Sequence, residues 1–197
     1  MSFRKEKKYR ISFSELFQIQ SDLLDVGMSQ LYPKRIVSSC YFDTDNLSLF
    51  HDSEEGTLPR KKIRLRWYDN IINPKKEQKI SSVEGRHKIV ESVNGLNTEN
   101  DVYKLSYTDQ IYGVLKPKLV ISYTRQYFMY ESLRITFDRD ILYRYLVSNT
   151  FDAIEDNECV MEVKVPFDVD DAYIENLVPF PTSRFSKYSR GMLVHGL

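Results

Sequence analysis

The stretch Arg60-Lys61-Lys62-Ile63-Arg64-Leu65-Arg66-Trp67-Tyr68 alternates charged and apolar side chains. Successive side chains of a β-strand point to opposite faces, so this pattern predicts a strand with one charged and one apolar face. The apolar face carries Ile63, Leu65 and Trp67 and requires a hydrophobic core. The charged face carries Arg60, Lys62, Arg64 and Arg66, followed by Tyr68, and has no acidic residue.

The same alternation recurs in other parts of the chain. Residues 3–11 alternate through Arg4, Glu6, Lys8 and Arg10, and short Glu-x-Lys runs occur at residues 77–79 and 162–164. For any single strand, such alternation is also typical of an ordinary antiparallel sheet with one face in water. The recurrence and the excess of cations in the strand at 60–68 favour instead the wall of a polyanion-binding site.

The bulk composition is typical of one globular domain over residues 1–197. The chain has 42% hydrophobic and 13% aromatic residues, which is enough for a full core. The formal net charge is zero, because acidic runs elsewhere balance the basic strands. A confined basic pocket is therefore favoured over a general nucleic-acid-binding surface, and no nucleic-acid partner is expected.

The cysteines and the N-terminal residues bear on the compartment. Cys40 and Cys159 lie in apolar, strand-like runs, which is typical of reduced, packed thiols in a cytosolic protein, with a disulfide as the less favoured alternative. Residues 1–10 are charged and lack the apolar core of a signal peptide. No run approaches the ~18 apolar residues of a membrane span. We therefore expect a soluble cytoplasmic protein without a membrane segment.

Strand patterns dominate the chain, with helices between them. A Ser12–Glu15 capping box predicts a helix that ends near Gly27, and apolar spacing predicts another over residues 98–115. Strands are predicted over residues 3–11, 36–42, 60–68, 75–83, 86–93, 119–130, 133–139, 141–147 and 159–166. About eight strands with charged inner and apolar outer faces favour an α+β protein built on a closed antiparallel eight-stranded β-barrel with flanking helices. Its interior would be a water-filled tunnel.

The charged faces would bring many cations together inside such a barrel. The predicted interior cations are Lys8, Arg10, Arg64, Arg66, Lys79, Lys88, Arg125 and Arg134. Few acids oppose them, namely Glu6, Glu77, Asp138 and Glu162. Like charges at such distances repel one another, so the lining is tolerable only with an anion present. Phosphate chains suit it, since Arg binds phosphate oxygens bidentately, and the acids would hold a divalent cation that bridges them.

Several motifs together resemble a known family, the VTC domain. They are Ser39-Cys-Tyr-Phe-Asp-Thr-Asp-Asn-Leu-Ser-Leu-Phe50, Ile63-Arg-Leu-Arg-Trp-Tyr68, Glu77-Gln-Lys79, Tyr123-Thr-Arg125, Phe137-Asp138, Met161-Glu-Val-Lys164 and Phe185-Ser-Lys-Tyr188. This domain is the catalytic part of the vacuolar transporter chaperone polyphosphate polymerase, within the CYTH-like superfamily of triphosphate tunnel metalloenzymes. The similarity extends over nearly the whole chain in matching order.

The resemblance implies an activity and a set of site residues. The implied activity is transfer of the terminal phosphate of ATP to a growing polyphosphate chain, with Mn²⁺ or Mg²⁺ as cofactor. The implied phosphate-binding residues are Lys8, Arg64, Arg66, Lys79, Lys88, Tyr123, Arg125 and Arg134. The tail residues Arg184, Ser186 and Lys187 would close on the substrate. We expect the catalytic contacts from Arg64, Arg66, Lys79, Arg125 and Lys187, and further phosphate contacts from the others and from Arg10.

Glu162 is the metal ligand that the resemblance implies, with Glu6 as a candidate second ligand. Hydrolytic members of the superfamily carry Glu-x-Glu-x-Lys on the first strand, whereas this chain has Arg4-x-Glu6-x-Lys8. The missing first acid favours a polymerase over a metal-rich triphosphatase. The alternatives are a hydrolase of triphosphate or an organic triphosphate, then a non-catalytic polyphosphate-binding module, and last a nucleic-acid-binding protein.

Overall fold

The structure is a computed structural model and describes residues 4–146 and 153–197. Its strands are β1 (Arg4–Ile11), β2 (Ser29–Asp43), β3 (Arg60–Tyr68), β4 (Asn70–Ser82), β5 (Gly85–Ser92), β6 (Tyr107–Asp109), β7 (Gly113–Tyr130), β8 (Leu133–Tyr145), β9 (Ile154–Glu155) and β10 (Cys159–Pro166). Its helices are α1 (Phe13–Asp25), α2 (Ser48–Glu55), α3 (Glu99–Tyr103), α4 (Asp171–Leu177) and α5 (Lys187–Val194). The α+β class with flanking helices is confirmed.

The strands join in a ten-stranded sheet, and its registered pairs are antiparallel. The main path of the sheet runs β1-β10-β8-β7-β2-β3-β4-β5, while β6 pairs with β7 and β9 with β8. Within the described residues no pairing joins β1 to β5, so the sheet is open. The predicted closed eight-stranded barrel was wrong. Alternation fixes which face of a strand is buried, but it does not decide whether two edge strands hydrogen-bond to each other.

The chain divides into two compact units. Unit 1 consists of Met1–Arg35, Tyr123–Ile141 and Glu155–Phe185, and unit 2 of Ile36–Ser122, Leu142–Ile154 and Ser186–Leu197. In unit 1, Tyr9 of β1 pairs with Met161 of β10, which pairs with Phe137 of β8, and all three are buried. The apolar stripe of α1, including Leu16, packs into the same core. The predicted capping box at Ser12 starts this helix.

The core of unit 2 contains the apolar face of β3. Ile63, Leu65 and Trp67 are buried in one cluster with Leu49 of α2 and Val102 of α3. The alternation that predicted this strand therefore also predicted correctly which face is buried. Because the helices α2 and α3 contribute to the apolar cluster, the charged side chains of β3 lie on the opposite face of the sheet.

The predicted helix over residues 98–115 was wrong. Only Glu99–Tyr103 is helical, and the chain then forms β6 and enters β7 at Gly113. Val102 of α3 and Leu115 of β7 are nevertheless buried in one cluster. The apolar residues that fit a helical period therefore do belong to the core, but a helix and a strand bring them there. The strands predicted over 133–139 and 141–147 form the single strand β8 as far as Tyr145, and the end of the second lies outside the described residues.

Two smaller expectations can be compared with the structure. Cys40 and Cys159 are both buried free thiols, as predicted. No helix in the part of the chain that the structure describes has the length and apolarity needed to span a membrane.

Candidate functional site

Three strands of unit 2 collect eight cations on one face of the sheet, four on β3, two on β4 and two on β5. The set, which we call the basic face, is Arg60, Lys62, Arg64, Arg66, Lys75, Lys79, Arg86 and Lys88. Cross-strand partners share a face, so the register assigns each of these residues to it. Over these three fully described strands, Glu77 is the only carboxylate on that face. The charged face that the sequence predicted for β3 therefore extends over its neighbours.

A row of lysines crosses the basic face. Lys62 lies opposite Lys79 in the β3–β4 ladder, and Lys79 lies opposite Lys88 in the β4–β5 ladder. Residues opposite each other in antiparallel strands have Cα atoms about 4.5–5.5 Å apart. Like charges placed in this way destabilise a sheet. Such a row is therefore typical of a surface that binds a polyanion.

Glu77 is the counter-ion of the basic face. One carboxylate oxygen accepts hydrogen bonds from Arg64 Nε at 2.8 Å and Nη2 at 2.5 Å, and the other accepts from Lys88 Nζ at 2.6 Å. Burial raises the pKa of Glu77, but the charges of Arg64 and Arg66 and the hydrogen bonds outweigh burial and lower the pKa to about 2. The carboxylate is therefore ionised at neutral pH and fixes the side chain of Arg64.

Strand β2 provides further partners for the two arginines. Arg64 Nη1 donates to the hydroxyl oxygen of Tyr41 at 2.8 Å, and Arg66 Nε donates to Ser39 Oγ at 3.1 Å. Arg66 is buried and Arg64 is partly buried. Both side chains are thus held by hydrogen bonds from neighbouring strands, as in a preorganised anion site.

The tail helix α5 also contacts the basic face. Ser186 caps its N-terminus, and Ser186 Oγ accepts a hydrogen bond from Lys62 Nζ at 2.8 Å. Lys187 is the first residue of the helix. Two of the three tail residues that the sequence predicted, Ser186 and Lys187, therefore lie beside the basic face, while Arg184 belongs to the last segment of unit 1.

Unit 1 has a polar face of its own, on which both signs of charge occur. In register across β1, β10 and β8 it includes Glu6, Lys8, Arg10, Glu162, Lys164, Arg134, Thr136 and Asp138. We call it the mixed face. The predicted residues of β1 and β10, together with Arg134, thus lie on one surface.

The two predicted metal ligands lie close to the same lysine on the mixed face. Lys164 Nζ lies 2.8 Å from a Glu162 oxygen and 3.8 Å from a Glu6 oxygen, and Lys8 Nζ lies 3.2 Å from the other Glu6 oxygen. Burial raises the pKa of Glu162, but Lys164, Arg125 and Lys8 lower it to about 2. Lys8 also donates to the backbone oxygen of Phe185 at 3.2 Å.

Three of the predicted arginines of unit 1 lie close to aromatic rings. Arg125 lies 5.2 Å from the ring centroid of Tyr123 and donates two hydrogen bonds to Asp138, of 2.5 and 2.7 Å. Burial lowers the pKa of Arg125, but Asp138 and Tyr123 raise it well above its usual value. Arg134 stacks near Tyr127 at 5.9 Å and Arg10 near Phe185 at 5.9 Å.

Arg10 differs from the other predicted phosphate ligands. Its guanidinium pairs with Glu158, with Nε 2.6 Å and Nη2 2.5 Å from one carboxylate oxygen, and its side chain is exposed. The sequence did not indicate this partner. An exposed ion pair contributes little to stability, so Glu158 can be displaced from Arg10 at small cost.

The mixed face fits a divalent cation that a substrate helps to hold. Mg²⁺ sites often use one or two carboxylates and complete the shell with phosphate oxygens and water. Glu162 and Glu6 supply two carboxylates, and Thr136, directly opposite Glu162, has a buried hydroxyl that forms no hydrogen bond with residues 4–146 or 153–197. In the described ranges, no cluster of three His, Cys, Asp or Glu residues could bind a metal alone. The donor set therefore requires oxygens from a ligand.

Some residues of the two faces were not predicted as site residues. Tyr41 and Ser39 of β2 bind the predicted arginines, and Thr136 lies beside the predicted metal ligand. The sequence did show which residues of one strand share a face, because side chains two positions apart point to the same side, as Ser39 and Tyr41 do. The pairing of β2 with β3 was not available, so nothing indicated which strand's hydroxyl groups would meet the arginines.

The fold is shared with solved structures of proteins linked to nucleotide and triphosphate chemistry. A protein from Hippeastrum, described as a candidate adenylyl cyclase with a dominant triphosphatase activity, matches at 14% identity and a TM-score of 0.57 over 98% of this chain and 96% of that one. A candidate adenylate cyclase from Vibrio parahaemolyticus matches at 16% identity and a TM-score of 0.53, over 98% of each chain. At these identities the likeness shows the fold alone.

The family is shown by sequence. The family model of the VTC domain matches residues 3–195, so the chain belongs to the VTC domain family, as its motifs predicted. No curated protein shows significant sequence similarity to the chain.

Proposed function

We propose that this chain is a metal-dependent phosphotransferase that moves the terminal phosphate of ATP onto a polyphosphate chain, with residues 1–197 as one catalytic domain. The observation that carries the proposal is the basic face, on which the three described strands β3, β4 and β5 place eight cations and one carboxylate, Glu77. An extended anion with many charges stabilises such a surface because it offsets the repulsion between the cations. Membership of the VTC domain family supports the same substrate class.

The proposed roles follow from the contacts of each residue. Arg64, Arg66, Lys79 and Lys88 of the basic face bind phosphate oxygens, and Ser186 and Lys187 approach from α5. Lys8, Arg10, Tyr123, Arg125, Arg134 and Arg184 of unit 1 are the further proposed phosphate ligands. Glu162, with Glu6, would hold Mn²⁺ or Mg²⁺, which neutralises charge on phosphate oxygens when bound.

The reaction requires no protein nucleophile. An oxygen of the terminal phosphate of the chain attacks the γ-phosphorus of ATP, the bond from γ-phosphorus to the β–γ bridging oxygen breaks, and ADP leaves with that oxygen. The protein contributes alignment of the two phosphates and cations that stabilise the charge in the transition state. Arg64 suits this role because Glu77 and Tyr41 hold its guanidinium.

A second candidate is hydrolysis of a triphosphate, in which water replaces the chain as the acceptor. The structural relative from Hippeastrum with a dominant triphosphatase activity favours this alternative. The products distinguish the two reactions, because a hydrolase releases free phosphate and makes no chains.

The test is incubation of the purified protein with ATP and Mn²⁺, with chain length followed on a gel and free phosphate measured in parallel. Chains are expected. Phosphate without chains would instead support the hydrolase, and tight binding of polyphosphate without turnover would support a binding module. Lys79→Ala is expected to abolish the product. Lys76→Ala is the matched control, because Lys76 lies on the opposite face of the same strand and pairs with Glu91 at 3.1 Å.

A further inference from the structure

Tyr41 occupies a buried position between Arg64 and the tail helix. Its ring is stacked on that of Tyr188 in α5, with centroids 4.7 Å apart and planes 9° from parallel. Its hydroxyl oxygen accepts a hydrogen bond from Arg64 Nη1 at 2.8 Å. Only 7% of Tyr41 is exposed, so water does not compete freely for this bond.

Tyr188 is itself held by a buried carboxylate. Its hydroxyl donates to Asp43 at 2.5 Å, and Asp43 also accepts from the backbone N–H groups of Leu49 and Phe50, each at 2.9 Å. These are groups of the first turn of α2, whose N-cap residue, Leu47, has no side chain that could cap them. Breaking the Tyr188 hydrogen bond would leave a buried polar group unsatisfied, so the ring is fixed.

The guanidinium of Arg64 is consequently held from two directions. Glu77 accepts from Nε and Nη2, and Tyr41 accepts from Nη1. Arg presents its N–H groups in a planar fork, so two fixed acceptors define the orientation of the whole group. Glu77 holds the Nε and Nη2 edge of the guanidinium, and Tyr41 holds its Nη1 edge.

We propose that Tyr41 is a positioning residue for phosphate binding, which orients the guanidinium of Arg64, and that Tyr188 holds Tyr41 in place. The inference rests on the proposed role of the basic face in phosphate binding. It adds Tyr41, which contacts Arg64, and Tyr188, which contacts Tyr41, and it gives α5 a second role beside carrying Lys187.

The same geometry couples Tyr41 to the charge of the basic face. The charged and titratable groups around it are Arg64 and Arg66 on β3, Lys79 and Glu77 on β4, Asp43 on β2 and Tyr188 on α5. Burial raises the pKa of Tyr41, but Arg64, Arg66 and Lys79 lower it to about 8. Above that pH the phenolate cancels one positive charge of the face, and phosphate affinity is expected to fall.

The test is the affinity of the whole protein for inorganic tripolyphosphate, measured by calorimetry. Tyr41→Phe keeps the ring but removes the oxygen, and it should weaken binding about tenfold, the effect of one hydrogen bond to a charged group. Tyr9→Phe removes the same atom from a fully buried tyrosine whose hydroxyl has no hydrogen-bond partner among the described residues, and it should leave the affinity unchanged. In an Arg64→Ala background, Tyr41→Phe should have no further effect.

A pH series separates positioning from a purely structural role. The ratio of wild-type to Tyr41→Phe affinity should be largest near pH 7 and should approach one above pH 9. Equal affinities at pH 7, or an undiminished effect in the Arg64→Ala background, would overturn the inference while the proposed function stands. If Tyr41→Phe does not fold, Tyr188→Phe decides, because it removes the hydrogen bond to Asp43 that fixes the ring stacked on Tyr41 and should weaken tripolyphosphate binding; an unchanged affinity would overturn the inference. Absence of wild-type binding would overturn the proposed function as well.

Discussion

Lys79 lies directly opposite Lys88 in the β4–β5 ladder, on a face where the described strands β3, β4 and β5 carry eight cations and one carboxylate, Glu77. Because Lys62 lies opposite Lys79 on the other side, Lys79 is the middle of three like charges. Substitution Lys79→Gln should therefore raise the free energy of unfolding by about 0.5–1 kcal/mol without ligand. It should also weaken tripolyphosphate binding, so that added tripolyphosphate stabilises the variant less than the wild type in urea unfolding.

Lys76→Gln is the control for this prediction. Lys76 lies 3.1 Å from Glu91 and 4.6 Å from the ring centroid of Tyr107, so its loss should lower stability slightly and leave phosphate affinity unchanged. A loss of stability in Lys79→Gln similar to that in the control would contradict repulsion in the lysine row.

Substitution Glu77→Gln should make the protein less stable by about 3 kcal/mol at neutral pH, because it leaves the partly buried Arg64 without its counter-ion. The folded-state pKa of Glu77, about 2, is below its ordinary value near 4.5. The stabilisation it gives is therefore complete above pH 4.5 and is lost as the pH falls towards 2. The difference in unfolding free energy between wild type and variant should shrink over this range in acid titrations.

Tripolyphosphate should restore part of the stability of Glu77→Gln, since it supplies the anion that the variant lacks. If the ligand stabilised wild type and variant equally, Glu77 and phosphate would not share the cations of the basic face, and this prediction would be wrong.

The alternation at residues 60–68 was sufficient to predict β3, its buried apolar face and the charged face that carries Arg64 and Arg66. A period of two fixes these features locally. The capping box at Ser12 was equally informative, because both of its hydrogen bonds join residues three apart in sequence.

Features that depend on contacts between distant segments were not predictable in this way. The apolar residues between 98 and 115 fit a helical period, but tertiary packing divides them between α3 and β7. The hydrogen bond from Arg64 to Tyr41 joins residues 23 apart and requires the β2–β3 register. Whether β1 and β5 pair is likewise a property of the whole sheet, which explains why closure was predicted wrongly.

Gly191 packs α5 tightly against its neighbours, so Gly191→Ala should displace the helix. A Cβ atom at this position would lie 2.6 Å from Leu119 Cδ2 and 2.6 Å from Tyr143 Cδ1. Alanine favours a helix over glycine by about 1 kcal/mol, but overpacking costs about 1–3 kcal/mol, so a net loss of thermal stability is expected. Phosphate affinity should fall with it, because Ser186 and Tyr188 belong to the same segment.

Ser189→Ala tests the same helix without a steric change. The hydroxyl of Ser189 is buried and forms no hydrogen bond within the part of the chain that the structure describes, so its removal should be neutral or slightly stabilising and should not alter phosphate affinity. If Gly191→Ala were as stable and as active as the wild type, the close packing of α5 would have no influence on the basic face.

Glu162→Gln tests the proposed metal ligand separately from phosphate binding. The substitution preserves shape and removes the charge that would bind Mn²⁺, so the increase in tripolyphosphate affinity that Mn²⁺ gives the wild type should disappear. Affinity without metal should not fall, because the change removes a negative charge from a phosphate-binding surface. Glu175→Gln is the control, since Glu175 is exposed and contacts Lys7 at 3.2 Å in the same unit. An undiminished Mn²⁺ effect in Glu162→Gln would contradict the prediction and would mean that other residues bind the ion. The same comparison with Glu6→Gln would then show whether Glu6 binds it without Glu162.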